Sequence, residues 1–493
     1  MSDMKQDNNL MRDLLLGTWN YTVKEAPFGF RTGKVVFFEE DGQVKAKLKI
    51  YGLTIKTKDL IISGSKVSFN AQVDIEQVAL RLELDGDSLI GQVHMSEGAM
   101  AIVMTKTDSK KRETLVEPDR STDDSPGAAN SQEFAQRKKA QKDLCKQLDS
   151  DVRIHTFYYG WYGNPEFDGE TKGWNDPVIP HWIETTWNDA PPRSGCDDVS
   201  SNFYPQLGCY STSNPEVVNT HMRQIRDAGI GVVVLSWWGK EHFTDKSVPT
   251  ILDTAHNYGL KIVFHLEPFY NTVNEFRAQL EYISRKYNQH LAVYRFNGLP
   301  LYYLYNSFKL EHHEWLSMMS PESKATIRNT ALDGVFISLW TTQFDGEFTL
   351  KSGFDGFYTY YASDGFSYGS TTSNWSHLSR FARQNNLIYI PCVGPGYMDT
   401  RLRPWNEKTT KSRDNGRYYE AMMKRAVDTN PDFIGITSFN EWFEGTQIEP
   451  AVPKAIPSYT YEDYGKDTEP LFYIKKTKEL ISKYMKLNHT RSR

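Results

Sequence analysis

PEVVNTHMRQIRDAGIGVVVLSW, residues 215–237, is the stretch that decides the fold class. Its first part, 215–228, carries apolar residues at helical spacing, and Gly229 follows it as a helix C-cap. Its last part, 232–237, is a short and continuous apolar run, which is typical of a strand covered on both faces. A helix that leads directly into such a strand is the repeating unit of an α/β protein with a parallel sheet.

The same alternation recurs from Asp151 to the end of the chain. Eight apolar or β-branched runs are present: Ile154–Tyr159, Val232–Trp237, Ile262–Leu266, Leu301–Tyr305, Val335–Leu339, Phe357–Tyr360, Leu387–Pro391 and Phe433–Thr437. Helix-like segments separate most of them: Pro215–Ala228, Asn274–Tyr287, Glu314–Ile327, Asn374–Asn385 and Arg417–Thr429. Eight β/α units in about 300 residues predict a (β/α)8 TIM barrel. A doubly wound sheet is the alternative, but no glycine-rich phosphate loop follows the first strand.

The N-terminal region has a different pattern. Residues 10–107 contain short alternating stretches separated by turn signals such as Asp41-Gly42, which predict a small all-β barrel or sandwich. The stretch Leu16-Gly17-Thr18-Trp19 is similar to the Gly-x-Trp start of lipocalin-like barrels. Residues 108–138 are charged and rich in Ser, Asp, Pro and Gly, which predicts a flexible linker. The α/β domain is then expected over residues 139–493.

The composition narrows the class of partner. The 493-residue chain has a net charge of −5 with both signs spread along it, so a nucleic-acid partner is not expected. No apolar run reaches about 18 residues, so no membrane span is expected, and residues 1–9 contain no signal-peptide core. None of the cysteines forms a C-x-x-C pair. Cys196 and Cys209 are either bridged, as in an oxidising compartment, or free thiols.

Aromatic and polar residues gather where the eight runs end, which is where barrel enzymes carry their chemistry. Those at the strand ends include Tyr158, Tyr159, Trp161, Trp237, Trp238, His265, Glu267, Tyr305, Asn306, Trp340, Tyr358, Tyr360, Tyr361, Tyr397, Asp399, Asn440, Glu441, Trp442, Phe443 and Glu444. Aromatic rings stack on the apolar faces of sugars, and carboxylates transfer protons. Each ring taken alone fits core packing as well, but the cluster favours a sugar site.

Glu441 and Glu444 are the candidate catalytic pair. Glycoside hydrolysis needs two carboxyl groups, and these two follow the last strand directly. The alternative is a solvated loop with two unrelated glutamates. His265 and Glu267 would point to the same side of a strand. Because no further ligand at metal spacing accompanies them, they are expected to contact substrate and not a metal.

Nine ordered motifs resemble glycoside hydrolase family 99, the endo-α-1,2-mannosidases and endo-α-1,2-mannanases. They are the stretches 157–165, 201–208, 220–226, 235–238, 264–268, 352–360, 393–397, 403–406 and 437–449. The likeness covers Asp151 to the C-terminus and leaves the N-terminal β domain outside. The resemblance implies a (β/α)8 fold and retaining hydrolysis of internal α-mannoside linkages in α-mannan or related glycans. It implies no cofactor and no metal.

The mechanism proposed for this family gives each glutamate a role. The sugar's own 2-hydroxyl is deprotonated and attacks the anomeric carbon, which yields a 1,2-anhydro intermediate. By motif, Glu441 would be the base for this hydroxyl. Glu444 would protonate the leaving oxygen as the acid and would then activate water as the base. One carboxyl must therefore stay ionised while the other stays protonated, which different surroundings can achieve.

The resemblance also implies contacts with a mannose-containing oligosaccharide or polysaccharide. The implied contact residues are Tyr158 or Tyr159, Trp238, His265, Glu267, Tyr360, Arg403 and Asn440. Phe443 departs from the family, whose members tend to carry His there. Trp238 matches the mannan-degrading bacterial members, whereas animal members, which process glucosylated high-mannose N-glycans, carry Tyr. Either glycan is a candidate substrate, and a non-catalytic carbohydrate-binding barrel is the alternative from another class. The family favours a secreted or periplasmic location.

Overall fold

The computed structural model describes two compact units of the chain. The described residues are 11–12, 14–23, 26, 31–40, 42–50, 53–73, 76–95, 98–107, 151–174, 195–457, 459–464 and 469–485. Those up to 107 belong to the first unit, and those from 151 onward belong to the second. The predicted linker at 108–138 lies outside the described residues, so the domain boundaries stay a prediction.

The first unit is a closed antiparallel barrel. Its strands are β1 (Gly17–Thr22), β2 (Thr32–Glu40), β3 (Gln43–Ile50), β4 (Leu53–Ser63), β5 (Lys66–Val73), β6 (Glu76–Asp85), β7 (Ser88–Met95) and β8 (Gly98–Lys106). Each strand pairs with the next, and β1 pairs with β8 to close the ring. Alternate residues face inward, as Val67, Phe69 and Ala71 do in β5, because side chains alternate along a strand. The all-β prediction is confirmed, and Trp19 lies buried on the closing strand.

The second unit is a parallel barrel covered by helices. Its strands are β9 (Asp151–Tyr159), β10 (Ile230–Trp237), β11 (Lys261–Leu266), β12 (Leu299–Leu304), β13 (Val335–Leu339), β14 (Gly356–Tyr358), β15 (Ile388–Ile390), β16 (Cys392–Val393) and β17 (Ile434–Ile436). The seventh strand is divided at Pro391, which has no N–H for the ladder. Its first segment pairs with β14 and its second with β17, and β17 pairs with β9, so the ring closes through this proline. The prediction of a (β/α)8 barrel is confirmed.

A helix follows each of the eight strands. The helices are α1 (Pro165–Asp168), α2 (Pro215–Asp227), α3 (Phe243–Asn257), α4 (Val273–Lys286), α5 (His312–Met319), α6 (Asp345–Ser352), α7 (Trp375–Gln384), α8 (Arg417–Asp428) and α9 (Phe472–Leu480). Two-residue strands occur at Arg295–Phe296, Ala455–Ile456 and Tyr459–Thr460. None of the described helices is long and apolar enough to cross a membrane.

Two helix predictions differ from the structure. The helix expected over 314–327 ends at Met319, because Pro321 disfavours helical geometry at Ser320, which is extended with ψ 129°. Helix α3 was not predicted, and its interior Pro249 hides it in the sequence pattern. Cys196 and Cys209 form a disulfide, which settles that alternative, and Cys392 is a buried free thiol.

Candidate active site

Glu441 lies in the loop that follows the eighth barrel strand. Its side chain is 3% exposed, and its Oε1 accepts a hydrogen bond of 3.1 Å from the backbone N–H of Phe443. Its own backbone N–H donates to Ser438 Oγ at 2.7 Å. These two local bonds fold the loop tightly, so the carboxyl group is held at the C-terminal mouth of the barrel, where parallel barrels carry their chemistry.

The surroundings of Glu441 favour its neutral form. Burial, followed by the nearby charge of Glu444, raises the pKa of Glu441 well above its usual value. The Arg403 guanidinium and the Phe443 N–H act in the opposite direction, and the charge of Glu267 adds to the rise. Two carboxyl groups so placed retain a proton between them over a range of pH in which separate glutamates would lose both.

Two tyrosine hydroxyls form a hydrogen-bonded chain that ends at the Glu444 carboxyl group. Tyr360 donates to Glu444 Oε2 at 3.4 Å, and the Tyr159 and Tyr360 hydroxyl oxygens are 2.5 Å apart. Burial and the glutamate charges raise the pKa of both tyrosines well above the usual value, so both stay protonated. Tyr360 has φ 51°, an unusual backbone conformation for a bulky residue, and its carbonyl accepts a hydrogen bond from Thr437. The backbone is thus held in a sparsely populated state that presents this hydroxyl to the site.

Arg403 supplies a positive charge beside the glutamates. Its Nη1 donates to Asp399 Oδ2 at 3.1 Å, and that oxygen also accepts from Tyr397 and Asn406 at 3.0 and 2.9 Å. Against the lowering effect of burial, the neighbouring Tyr397, Asp399 and Glu444 raise the pKa of Arg403. A fixed guanidinium of this kind can bind sugar hydroxyls and stabilise the ionised form of either glutamate.

His265 and Glu267 lie together on the adjoining wall, as their spacing predicted. His265 Nε2 is 2.8 Å from the Tyr358 hydroxyl, and its Nδ1 is 3.2 Å from Glu267 Oε1. Glu267 Oε1 accepts a hydrogen bond from Ser236 at 2.7 Å. The His265 ring stacks on Tyr360 with ring centres 6.2 Å apart. Among the described residues, no group of three or more His, Cys, Asp or Glu is arranged to hold a metal ion.

An aromatic wall borders the carboxyl pair. The Trp161 ring lies 4.4 Å from Tyr159, 6.4 Å from Trp238 and 6.3 Å from Phe443, centre to centre. Phe443 and Trp161 are close to parallel, at 29°. Phe443 therefore extends an apolar stacking surface, where an imidazole would have offered a proton donor.

Comparisons with known proteins identify the family. Residues 149–486 match Glycosyl hydrolase family 99. The chain belongs to glycosyl hydrolase family 99. It is 45% identical over 347 residues to a glycoprotein endo-alpha-1,2-mannosidase of Rattus norvegicus, which covers 68% of this chain and 75% of that protein. It is 42% identical over 351 residues to a human glycoprotein endo-alpha-1,2-mannosidase-like protein, covering 68% and 76%.

A solved structure in the same family supports the fold. The family 99 endo-alpha-mannosidase of Bacteroides thetaiotaomicron is 39% identical and aligns with a TM-score of 0.65, covering 69% of this chain and 99% of that one. The family resemblance inferred from the motifs is thereby confirmed. This family 99 chain is a glycoside hydrolase, and the family match begins at residue 149, after the strands of the first unit.

The family 99 site brings most of the predicted residues together and leaves two outside. Tyr159 faces the glutamates, whereas Tyr158 points to the opposite side of β9, as alternate strand residues do, and its hydroxyl is 3.0 Å from Nδ1 of His221 on α2. Asn440 is fully buried and binds the N–H and carbonyl of Tyr159 at 2.7 and 2.9 Å. Both side chains are engaged within the protein, so their assignment as substrate contacts stays a prediction.

Sequence reasoning missed part of the site. Trp161 was noted at a strand end but was not included among the predicted contacts, although it touches three members of the wall. Tyr397 and Asp399 anchor Arg403 and were also left out. All three lie within or beside the family motifs, so motif membership was the available signal.

Proposed function

We propose that this chain is a retaining, endo-acting α-1,2-mannosidase in which Glu441 and Glu444 carry the reaction. The observation that carries the proposal is the buried Glu441 carboxyl beside Glu444 and Arg403, at the mouth of a family 99 barrel. The names of the relatives, which are endo-α-1,2-mannosidases and an endo-α-mannosidase, supply the linkage and the endo action.

In the first step the sugar provides its own nucleophile. Glu441 accepts the proton of the 2-hydroxyl, and the oxygen bonds to the anomeric carbon as the glycosidic bond breaks. Glu444 gives its proton to the leaving oxygen. In an α-mannoside the axial 2-hydroxyl lies trans to the axial leaving group, so this displacement is geometrically direct. A base with a raised pKa binds the transferred proton more strongly than an ordinary glutamate would.

In the second step the roles reverse. Water attacks the anomeric carbon, and its proton goes to Glu444. The ring of the 1,2-anhydro sugar opens, and the 2-oxygen recovers the proton that Glu441 held. Two inversions give net retention, and both carboxyl groups return to their starting states. The pair needs one proton at the start, which is the state that mutual repulsion of the two charges favours.

The remaining residues of the site are assigned to binding. Trp238 and Trp161 offer apolar faces for stacking on sugar rings. Polar contacts are assigned to Tyr159, Tyr360, His265, Glu267 and Arg403. Phe443 offers no donor near Glu444, whereas Tyr360 donates a hydrogen bond to Glu444 and the charge of Glu444 acts on Arg403.

Two substrates have separate support. Trp238 favours α-mannan, because the mannan-degrading members of the family carry Trp there. The relatives named as glycoprotein endo-α-1,2-mannosidases favour the glycans of glycoproteins. The primary assignment is to α-mannan or related mannose-only glycans, with glucosylated high-mannose N-glycans as the second candidate.

One digest tests class, linkage and endo action together. α-Mannan and a matched pair of high-mannose glycans, one capped with glucose and one with mannose, are incubated with the enzyme, and the products are sized. Oligosaccharides released by cleavage of internal α-1,2 bonds support the proposal, whereas free monosaccharide alone or no cleavage contradicts it. Glu441→Gln is the inactive control. Trp238→Tyr should shift preference toward the glucose-capped glycan by about 1–3 kcal/mol.

The N-terminal β barrel is assigned no part in the chemistry. All residues of the site lie between 151 and 485, and the family match begins at 149. A fragment that starts at residue 139 should therefore keep the hydrolytic activity of the full chain. A folded but inactive fragment would show that the first unit contributes to the site.

A further inference from the structure

A second buried glutamate lies behind the catalytic loop. Glu449 is 1% exposed, and its Oε2 accepts hydrogen bonds from the Tyr210 hydroxyl at 2.8 Å and from Trp442 Nε1 at 2.9 Å. Its Oε1 is 3.1 Å from Nε2 of His221, which is fully buried. The charge of Glu449, added to burial, raises the pKa of Tyr210, so that hydroxyl stays protonated and donates. Glu449 is thus engaged at both oxygens.

Its partners reach both chain neighbours of Glu441. Trp442, the residue after Glu441, donates its indole N–H to Glu449 directly. Asn440, the residue before it, donates to the same Tyr210 hydroxyl at 3.3 Å. Glu441 is therefore held on each side by a residue that is tied, directly or through one hydroxyl, to a single carboxylate oxygen.

A further tyrosine closes the arrangement. The Tyr162 hydroxyl donates to the Asn440 carbonyl at 3.0 Å and lies 3.2 Å from the Trp442 N–H. The Tyr162 and Tyr210 rings meet edge to face with centres 5.5 Å apart. The backbone on both sides of Glu441 is thus fixed by the same small set of side chains.

The opposite end of the network is anchored in rigid elements. His221 lies in α2, and its Nδ1 is 3.0 Å from the Tyr158 hydroxyl on β9. The contacts of Glu449 therefore join the first β/α unit to the loop that follows the eighth strand, across the place where the barrel ring closes. Groups fixed by packed helices and strands hold a catalytic geometry more accurately than loop contacts alone.

We propose that Glu449 is a positioning residue for hydrolysis, which holds Glu441 in place through Trp442 and Tyr210 without touching the sugar. This inference rests on the proposed function, because it needs Glu441 to act on the substrate. The physical reason is that proton transfer and displacement require accurate placement of the reacting groups. A shift of a reacting group by about 1 Å lowers the rate by about 100-fold. The role also accounts for His221 and Tyr158, which lie in family motifs but outside the reacting pair.

The test is a double-mutant cycle on kcat. Glu449→Gln keeps the shape of the side chain but removes its charge, and Trp442→Phe removes the indole N–H that Glu449 accepts. Each single variant should lower kcat on a mannose oligosaccharide, Glu449→Gln by about 10–100-fold, while KM changes little. The double variant should lose much less than the product of the two single losses, because both act through one contact.

Two further variants exclude a general loss of structure. Asp432 is 3% exposed and accepts a 3.0 Å hydrogen bond from the Tyr389 N–H, at the end of the barrel opposite the glutamates. Asp432→Asn should lower the melting temperature without changing kcat per folded molecule. If Glu449→Gln does not fold, Tyr210→Phe removes one hydroxyl from the same carboxylate and should still lower kcat.

The outcomes are separable. Losses of kcat that multiply independently in the double variant, or that Asp432→Asn matches, overturn the positioning role. A wild-type enzyme without activity on any α-mannoside overturns the proposed function instead, before the variants are compared.

Discussion

Glu441 and Glu449 are two buried glutamates in one loop, and their surroundings differ in kind. Glu449 meets a histidine ring, a tyrosine hydroxyl and an indole N–H. Among the described residues, the Glu441 carboxylate accepts one hydrogen bond, from Phe443, and a second carboxyl group lies close enough to raise its pKa. A buried carboxylate with three donors at its oxygens stabilises the structure around it, whereas a buried carboxylate with one donor and a like charge nearby has a raised affinity for a proton.

The difference shows what a substrate supplies. A sugar hydroxyl placed against Glu441 provides the donor that the protein withholds. In the proposed mechanism, the ionised carboxylate then accepts a hydrogen bond from the group that it deprotonates. At Glu449 the protein's own donors occupy that place, and no proton needs to move.

The largest expected effect comes from Glu441→Gln. The amide keeps the size of the carboxylate but cannot accept the proton, so turnover should fall by about 10⁴-fold or more while affinity for the mannoside is largely kept. Steady-state rates and a binding titration measure the two quantities. A variant that binds and still turns over at more than a tenth of the wild-type rate would remove the base assignment.

A change in the substrate also tests the role of Glu441 as the base for the sugar's 2-hydroxyl. Replacing the 2-hydroxyl of the sugar at the cut with hydrogen removes the internal nucleophile, so hydrolysis should essentially stop. Direct attack by Glu441 would instead let the 2-deoxy sugar react through a glycosyl ester. Mass spectrometry that detects such an ester on Glu441, with continued turnover, decides for direct attack.

The next effect is that of Glu444→Gln. Loss of the acid should lower the rate on natural linkages by about 10²–10⁴-fold. A substrate whose leaving group needs little protonation should be partly spared in its first step. Single-turnover rates on the two substrates measure the difference, and equal losses on both contradict the acid role.

The pH dependence of kcat/KM should reflect the ionisation of Glu441. The base must be ionised, so kcat/KM rises with pH through the pKa of Glu441, and this acid limb should lie above the usual glutamate value of about 4.3. Glu444 acts as the acid and therefore carries its proton over this limb, so Glu444→Gln on an activated substrate should leave the acid limb close to its wild-type position. An acid limb that moves to lower pH would show that Glu444 is ionised when Glu441 titrates, which contradicts the assigned roles.

The smallest expected effect is a difference in thermal stability between variants of Glu441 and of Glu449. A carboxyl whose pKa is raised in the folded state makes the fold less stable as pH rises from the unfolded value through the folded one. Glu441→Gln should thus raise the melting temperature at neutral pH, and the gain should shrink in acid. Glu449→Gln should lower the melting temperature. The expected loss in the free energy of unfolding is about 1–3 kcal/mol, because one of the two oxygens of Glu449 that accept hydrogen bonds is replaced by an amide nitrogen. Thermal scans at two pH values compare them, and changes of equal sign contradict the contrast.

The sequence predicted the architecture well because the strands of a parallel barrel are covered on both faces. Such strands appear as continuous apolar runs, and all eight are present. Helix ends were less accurate, since the end of α5 at Met319 depends on one proline that follows it. The choice between Tyr158 and Tyr159 needed the facing of β9, which a run of buried residues does not reveal.

Contacts between residues far apart in the sequence limit how much of the candidate site the sequence predicts. Glu441 and Glu444 follow a strand and lie in one motif, so local sequence was enough to select them. The partner of Glu449 is His221, 228 residues earlier in the chain. Neither residue carries a local signal for that pairing, which exists only because the first and eighth strands are neighbours in a closed ring.

The Cys196–Cys209 disulfide makes a segment next to the site sensitive to the redox conditions of the surrounding medium. The segment that it closes contains Ser201, whose hydroxyl donates to the carbonyl of Trp442 at 2.7 Å. Closing a loop of about 15 residues is worth about 3 kcal/mol through the unfolded chain. Thiol reagents in a storage buffer, or production in a reducing cytosol, would therefore weaken a segment that touches Trp442, one of the two residues between the proposed catalytic glutamates.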